Sequence, residues 1–222
     1  MLLHNLVHRF EAVLFDFDGT LAPNLDLLHM RQRVIEKTLA FSVPNAVFEG
    51  RYIIEIIDAA FEHLAKQDAE TAHRYYGESH QLILDIEFSA ARETSQFPDT
   101  DKLLVELRRL GISTGVVTRN CREAVLLTYP ELLAHTDVLI ARDDTDHVKP
   151  DPRHLDAALG VLQAAPHRSV MVGDGAMDMR TGKLLSMFCV GVLTGSSDAE
   201  ALRAAGADVV LASCFADAEV SG

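Results

Sequence analysis

Two hydrophobic regimes alternate along the chain. Short, unbroken apolar runs recur at Ala12–Phe15, Ile112–Val117, Val138–Ala141, Ser169–Val172, Cys189–Leu193 and Asp208–Leu211. Runs of this length without polar alternation predict strands buried on both faces, the pattern of a parallel sheet. Helical spacing appears between them. Leu103, Leu104, Leu107 and Leu110 share one face of a helix expected over Asp101–Leu110, with Gly111 as its stop. Further helices are expected from Arg122, through Leu155, Leu159 and Leu162, after Asp178, and over Asp198–Ala205. Strand–helix alternation predicts an α/β fold with a Rossmann-like parallel sheet covered on both faces. Right-handed crossovers then place every strand's C-terminal end on one edge, where such sheets bind ligands.

Residues 22–94 follow a different rule. Of the 13 Gly only Gly50 and Gly77 lie here, and of the seven Pro only Pro23 and Pro44. Apolar residues recur at helical spacing at Leu27, Met30 and Val34, and again at Ile53, Ile56, Ile57, Ala60, Phe61 and Leu64. A third helical run, Leu82 to Phe88, is expected to follow Gly77, read as a breaker. The segment is therefore expected to be an all-helical insert, 22–94, in an α/β core formed by 1–21 and 95–222.

Composition narrows the function classes. A hydrophobic fraction of 48% with 24% charged residues is that of a soluble globular chain. The net charge of −13 disfavours nucleic acid and anionic membrane surfaces, and at first sight it also argues against a phosphorylated substrate. Cys121, Cys189 and Cys214 form no CxxC pair and are expected to be reduced thiols. His4, Asn5, His8 and Arg9 interrupt the first apolar stretch, so no signal-peptide core is expected. With no apolar run of membrane-spanning length, a soluble and cytoplasmic protein is expected.

Four polar clusters sit at predicted strand ends. Asp16-Phe-Asp18-Gly-Thr20 places two carboxylates at i and i+2 after the first strand, which suits Mg²⁺, although one of them could simply make an Asx turn. Thr118-Arg119-Asn120 offers a hydroxyl and main-chain amides at a strand-to-helix turn; it reads equally as a phosphate cradle or an ordinary helix cap. Lys149-Pro-Asp-Pro152 holds an ammonium in a rigid approach to a helix, with Asp151 as the expected N-cap. Gly173-Asp174-Gly-Ala-Met-Asp178 supplies two further acids, candidates for a metal site or a helix cap.

In this order the clusters resemble the haloacid dehalogenase-like superfamily, and within it the phosphoglycolate phosphatase-like hydrolases. Phe97-Pro98, Leu110-Gly-Ile112 and Gly191-Val-Leu-Thr-Gly195 add to the similarity. The resemblance implies a helical cap formed by the insert and a phosphatase acting on a small phosphorylated metabolite. It implies Asp16 as the nucleophile, Asp18 as the general acid–base, and Mg²⁺ held by Asp16, the Asp18 carbonyl and Asp174, with Asp178 in support. Thr118, Arg119, Asn120 and Lys149 would meet the phosphoryl group. Arg119 stands where such proteins more often carry Asn or Ser; its side chain either points at the substrate's anionic group or turns to solvent with only its amide in use, and the second is favoured. A phosphosugar mutase would use the same residues. A receiver-like module phosphorylated on Asp fits less well, because its acids lie on different strands and it needs no insert.

Two other features are expected to be bland. His4 and His8 are spaced i, i+4 but lack a third ligand, which favours a half-exposed helical face. Asp143, Asp144 and Asp146 lack the glycine and terminal Glu of a calcium loop and are expected to be a solvated loop.

Overall fold

Every strand of the larger unit runs parallel to its neighbours. In the computed structural model, which describes residues 3–215 apart from the side chains of residues 4 and 5, the strands are β1 (Ala12–Phe15), β2 (Ser113–Val117), β3 (Val138–Ile140), β4 (Ser169–Gly173), β5 (Phe188–Val192) and β6 (Val209–Leu211). They form one sheet in the order β3-β2-β1-β4-β5-β6. Phe15 is level with Val116 on one side and Val172 on the other. The chain reverses its direction of travel across the sheet between β1 and β4, so the C-terminal ends of these two strands flank the switch point where open α/β sheets form their ligand crevice.

The helices are α1 (Leu3–Val7), α2 (Leu27–Ala40), α3 (Asn45–Phe48), α4 (Ile53–Ala65), α5 (Ala69–Glu93), α6 (Thr100–Arg109), α7 (Arg122–Thr128), α8 (Leu132–His135), α9 (Arg153–Leu162), α10 (Ala176–Leu184) and α11 (Ala199–Ala204). Alternate residues of the strands feed two cores on opposite faces of the sheet. Val13, Phe15, Val116, Val170 and Val172 pack with Leu103, Leu104 and Leu107 of α6 and Val125 of α7. Leu14, Val117 and Met171 pack with Leu155 and Leu159 of α9, Met179 of α10 and Leu202 of α11. The uninterrupted apolar strands follow from this double burial.

Residues Leu25–Ala90 form a second compact unit. Its own core joins Met30 and Val34 of α2, Phe48 of α3, Ile56, Ile57, Ala60 and Leu64 of α4, and Ala72, Tyr75 and Ile83 of α5. Inside it the Thr38 hydroxyl donates to Val34 O and lies 2.8 Å from the Tyr75 hydroxyl. No helix among the described residues is long and apolar enough to cross a membrane.

Several local expectations need correction. Gly77 does not break a helix: α5 runs through it for 25 residues, and Gly77 is exposed with no neighbour where a Cβ would lie. The loss of one glycine's helix propensity is small beside the packing of Ala72, Tyr75 and Ile83. The helix expected after Asp178 starts at Ala176, with Asp178 inside its first turn. Pro152, not Asp151, occupies the N-cap position of α9, although the Asp151 carboxylate accepts from Arg153 N at 3.0 Å and pairs with the Arg153 guanidinium.

The acidic run after β3 is more than a solvated loop. Asp143 accepts from Arg122 N at 2.8 Å. Asp144 takes the Arg122 guanidinium at 2.7 Å and the Ala141 amide at 2.7 Å. These carboxylates gather at the N-terminus of α7 and tie it to the end of β3. The His4 side chain lies outside the described residues, so the His4–His8 pair has no structural outcome.

Candidate active site

Asp16 is the first residue beyond β1, and its N–H continues the ladder to Val172 O at 2.9 Å. The chain then tightens, with Phe17 O accepting from the amides of Thr20, Leu21 and Ala22. Gly19 adopts the left-handed region, φ 79°. A side chain there would also collide with Asp174, because a Cβ would stand 2.7 Å from its carboxylate carbon. The opposite wall is equally close, since a Cβ on Gly195 would fall 2.1 Å from Asp174 Oδ2. Asp174 is therefore held between two glycines, and its Oδ2 accepts from Ser196 N at 2.5 Å.

Lys149 is buried, with only 2% of its side chain exposed, and its ammonium lies 2.7 Å from both Asp16 Oδ1 and Asp178 Oδ1. Asp178 uses its other oxygen to accept from Gly175 N at 3.1 Å, which caps the first turn of α10. The electrostatics follow from burial and crowding. Burial pushes the Asp16 carboxyl well above the usual carboxylate range; Lys149 opposes this, while Asp178 and Asp174 add to it. Asp174 is also raised, by burial and then by Asp178. For Lys149, burial favours the neutral amine, but Asp16 and Asp178 outweigh it and hold the pKa above its ordinary value. One ammonium thus faces more carboxylate charge than it can neutralise.

The turn after β2 is arranged differently from a cradle of open amides. Thr118 is buried, and its Oγ1 accepts from Asn120 N at 3.0 Å. The Asn120 carboxamide accepts from Cys121 N at 2.8 Å, and its NH₂ donates to the Asp18 carboxylate at 3.1 and 3.3 Å. Two amides of the turn are thereby used locally, and Asn120 reaches Asp18. Arg119 is not turned to solvent. Half-buried, it donates through Nη1 to the main-chain carbonyl of Lys149 and touches Met177 Sδ at 3.7 Å.

Asp16, Asp174 and Asp178 each offer a carboxylate oxygen, all within 4.8 Å of one another. This all-oxygen set, with two of its carboxyls destabilised as anions, fits a hard divalent cation. Asp18 contributes no carboxylate to that group.

Residues 13–192 match the profile of the haloacid dehalogenase-like hydrolases. The chain belongs to this family. Among its relatives, the pyrophosphatase PpaX of Bacillus cereus is 30% identical over 186 residues, which cover 79% of each chain. A Bacteroides fragilis protein assigned to the haloacid dehalogenase-like hydrolases superposes with a TM-score of 0.66 at 25% identity, covering 92% of this chain and 97% of that one. A predicted phosphoglycolate phosphatase from Haemophilus somnus superposes at 0.65 over 93% and 95%; at 16% identity it speaks for the fold alone.

Two further contributors escape a reading by motif. His154 is fully buried in α9, where it is flanked in sequence by Arg153 and Leu155 and carries no spacing signal. Its Nδ1 accepts from Lys149 N at 3.0 Å, and its Nε2 lies 3.3 Å from Ile140 O. Burial, then the Lys149 charge, lowers its pKa to about 3, so it is the neutral tautomer with Nε2–H donating. Gly195 was visible within Gly191-Val-Leu-Thr-Gly195, but only the fold shows that its missing side chain makes room for Asp174.

Proposed function

We propose that this hydrolase is a Mg²⁺-dependent phosphatase of small phosphomonoesters, working through an aspartyl phosphate on Asp16. The observation that carries the reading is the Lys149 ammonium, buried and 2.7 Å from both Asp16 and Asp178, beside Asp174 at the sheet's switch point. A strongly acidic site of this kind repels a phosphate dianion until its charge is offset. Mg²⁺, held by Asp16 and Asp174 with the Asp18 carbonyl and supported by Asp178, would supply that offset and draw charge from the phosphoryl oxygens.

The rest is done by the chain's own residues. Lys149 fixes the Asp16 carboxylate and shares in neutralising the transferred phosphoryl group. Asp16 attacks phosphorus and the bond to the leaving oxygen breaks, while protonated Asp18 gives its proton to that oxygen. Asp18, now a carboxylate, takes a proton from water as that water attacks phosphorus, which breaks the Asp16–phosphate bond and releases inorganic phosphate. Asn120 holds Asp18 through its NH₂, so its contribution is to aim the acid–base group. Thr118 stands at the end of β2, where its hydroxyl can meet a phosphoryl oxygen. Phosphoryl transfer needs positioning and charge stabilisation more than further chemistry, so this set is sufficient. Residues 22–94 act as the cap that selects the substrate and excludes water.

The test is phosphate release from a panel of phosphoglycolate, sugar phosphates, nucleotides and inorganic pyrophosphate, with Mg²⁺ or with EDTA. Pyrophosphate enters the panel because the Bacillus relative is named for it. Turnover is expected with Mg²⁺ only, without a bisphosphate activator, and Asp16→Asn should abolish it. Activity that survives Asp16→Asn in a clean preparation refutes the mechanism. Release that demands a bisphosphate activator assigns the chain to the mutases instead.

A further inference from the structure

We propose that Arg119 and His154 are positioning residues that clamp the main chain of Lys149 at two points and thereby hold its ammonium between Asp16 and Asp178. The inference rests on the reading of Lys149 as part of the phosphoryl-transfer site and adds the means by which it is kept there.

Lys149 lies in a turn between β3 and α9, outside any helix or strand. A peptide in such a segment has no ladder or helix to satisfy its polar groups, and when buried each of them needs a partner. Here both partners are side chains from separate elements. The Lys149 N–H donates to His154 Nδ1 at 3.0 Å, and the Lys149 carbonyl accepts from Arg119 Nη1. Both holders are themselves anchored. The His154 ring spans to Ile140 O at the end of β3, and the Arg119 carbonyl accepts from Arg142 Nη1 at 2.8 Å. The turn after β2 and the first part of α9 are thus pinned to one residue.

The clamp answers a positioning problem. A lysine ammonium rides on a flexible four-carbon stem, yet here it meets two carboxylates at 2.7 Å each. Burial of the stem restricts its lower part, but a shift of the turn itself would carry the whole side chain away. Fixing the peptide on both sides of Cα removes that freedom, as a supporting shell does for a metal ligand or a catalytic group. It also gives Arg119 a use unlike the solvent-facing one its place in the motif suggests: the guanidinium grips the scaffold of Lys149.

The test uses Arg119→Met, His154→Leu and His154→Asn in the full-length protein, with Lys149→Met as reference. Asn at 154 keeps an acceptor near the Nδ1 position. Two measurements are made: Mg²⁺-dependent kinetics with p-nitrophenyl phosphate, and the rate of reductive methylation of Lys149 followed by peptide mass spectrometry, with Lys183 as an internal control. Arg119→Met and His154→Leu are expected to lower kcat by about 10- to 100-fold with KM nearly unchanged, as a displacement of about 1 Å does to a positioned group. Lys149 should become several-fold more reactive in both, while Lys183 stays constant. His154→Asn should restore most of the protection and most of kcat. If His154→Leu does not fold, Arg119→Met and His154→Asn carry the comparison.

The outcomes separate the two levels of the argument. Lys149→Met with wild-type turnover overturns the reading of the site, whatever the clamp variants do. Lys149→Met inactive, but Arg119→Met and His154→Leu at full rate with Lys149 still protected, overturns the clamp alone. Loss of activity in the clamp variants without exposure of Lys149 also overturns it, because the defect would then lie elsewhere.

Discussion

Acidification should weaken this protein through one buried imidazole. His154 is fully buried and can accept from Lys149 N through Nδ1 only as the neutral ring, with its pKa lowered from 6.5 to about 3. The folded state therefore refuses a proton that the unfolded chain accepts, and stability falls as pH drops through 6.5 and continues to fall towards pH 3. Between pH 7 and pH 5 the unfolded ring becomes almost fully charged while the folded one does not. At 1.36 kcal/mol per pH unit the cost is about 2 kcal/mol, or about 4–8 °C in melting temperature for a chain of this size. The assay is urea unfolding at both pH values, in EDTA throughout, for the wild type and for His154→Asn, which cannot titrate. Asp16 and Asp174, whose pKa values are raised, stabilise the fold in the opposite direction on acidification, but they are common to both proteins and cancel in the comparison. The wild type should lose about 2 kcal/mol more than the variant between pH 7 and pH 5. Equal losses in the two proteins would falsify the assignment of a neutral, hydrogen-bonded His154.

The remaining expectations concern the proposed Mg²⁺ site and the second unit. Gly195→Ala should displace Asp174, because the new Cβ would stand 2.1 Å from its Oδ2; calorimetric titration is expected to show Mg²⁺ binding weakened by about 10- to 100-fold or more, with the fold intact by circular dichroism. Binding that matches wild type would mean that Asp174 can move without loss. Mg²⁺ affinity should rise from pH 5 to pH 7, because Asp16 and Asp174 hold protons more tightly than ordinary carboxyls and the cation must displace them; titration in buffers of different ionisation enthalpy counts the protons released. A pH-independent affinity contradicts this. Gly77→Ala, at an exposed position inside α5 with open space at Cβ, should raise stability by about 1 kcal/mol in urea unfolding, and a destabilised variant would show that the helix needs glycine there.

The sheet was legible because its strands are buried on both faces. Ala12–Phe15 coincides with its predicted bounds, and the other strands shift by a residue or so, at ends where hydrogen bonding and hydropathy part company. Long-range packing was not legible. Gly77 signalled a break that the core around Tyr75 and Ile83 overrides. The gathering of Asp16, Asp174 and Asp178 could be inferred, because carboxylates at the ends of parallel strands meet along one edge of the sheet. The side chains that aim them could not. Arg119 points at a carbonyl thirty residues further along the chain, and Asn120 at a carboxylate more than a hundred residues back. Neither contact leaves a local spacing. Asp143 and Asp144 are exposed as expected, but their contacts with Arg122 were not legible for the same reason: that partner is remote in sequence and adjacent only once β3 lies beside β2.

The central place of β1 has a consequence for biosynthesis. It leaves the ribosome first among the strands, yet its neighbours β2 and β4 begin at Ser113 and Ser169. At a synthesis rate of about 5–20 residues per second, about 100 residues and some 5–20 seconds separate Phe15 from its first partner. During that interval the apolar segment has no edge to pair with. The residues in between have an apolar core of their own, and their early collapse would shorten the loop that must close before β1 and β2 meet. The nascent chain should therefore depend on the collapse of the intervening helices to shorten the loop that closes when β1, which leads into Asp16, pairs with β2.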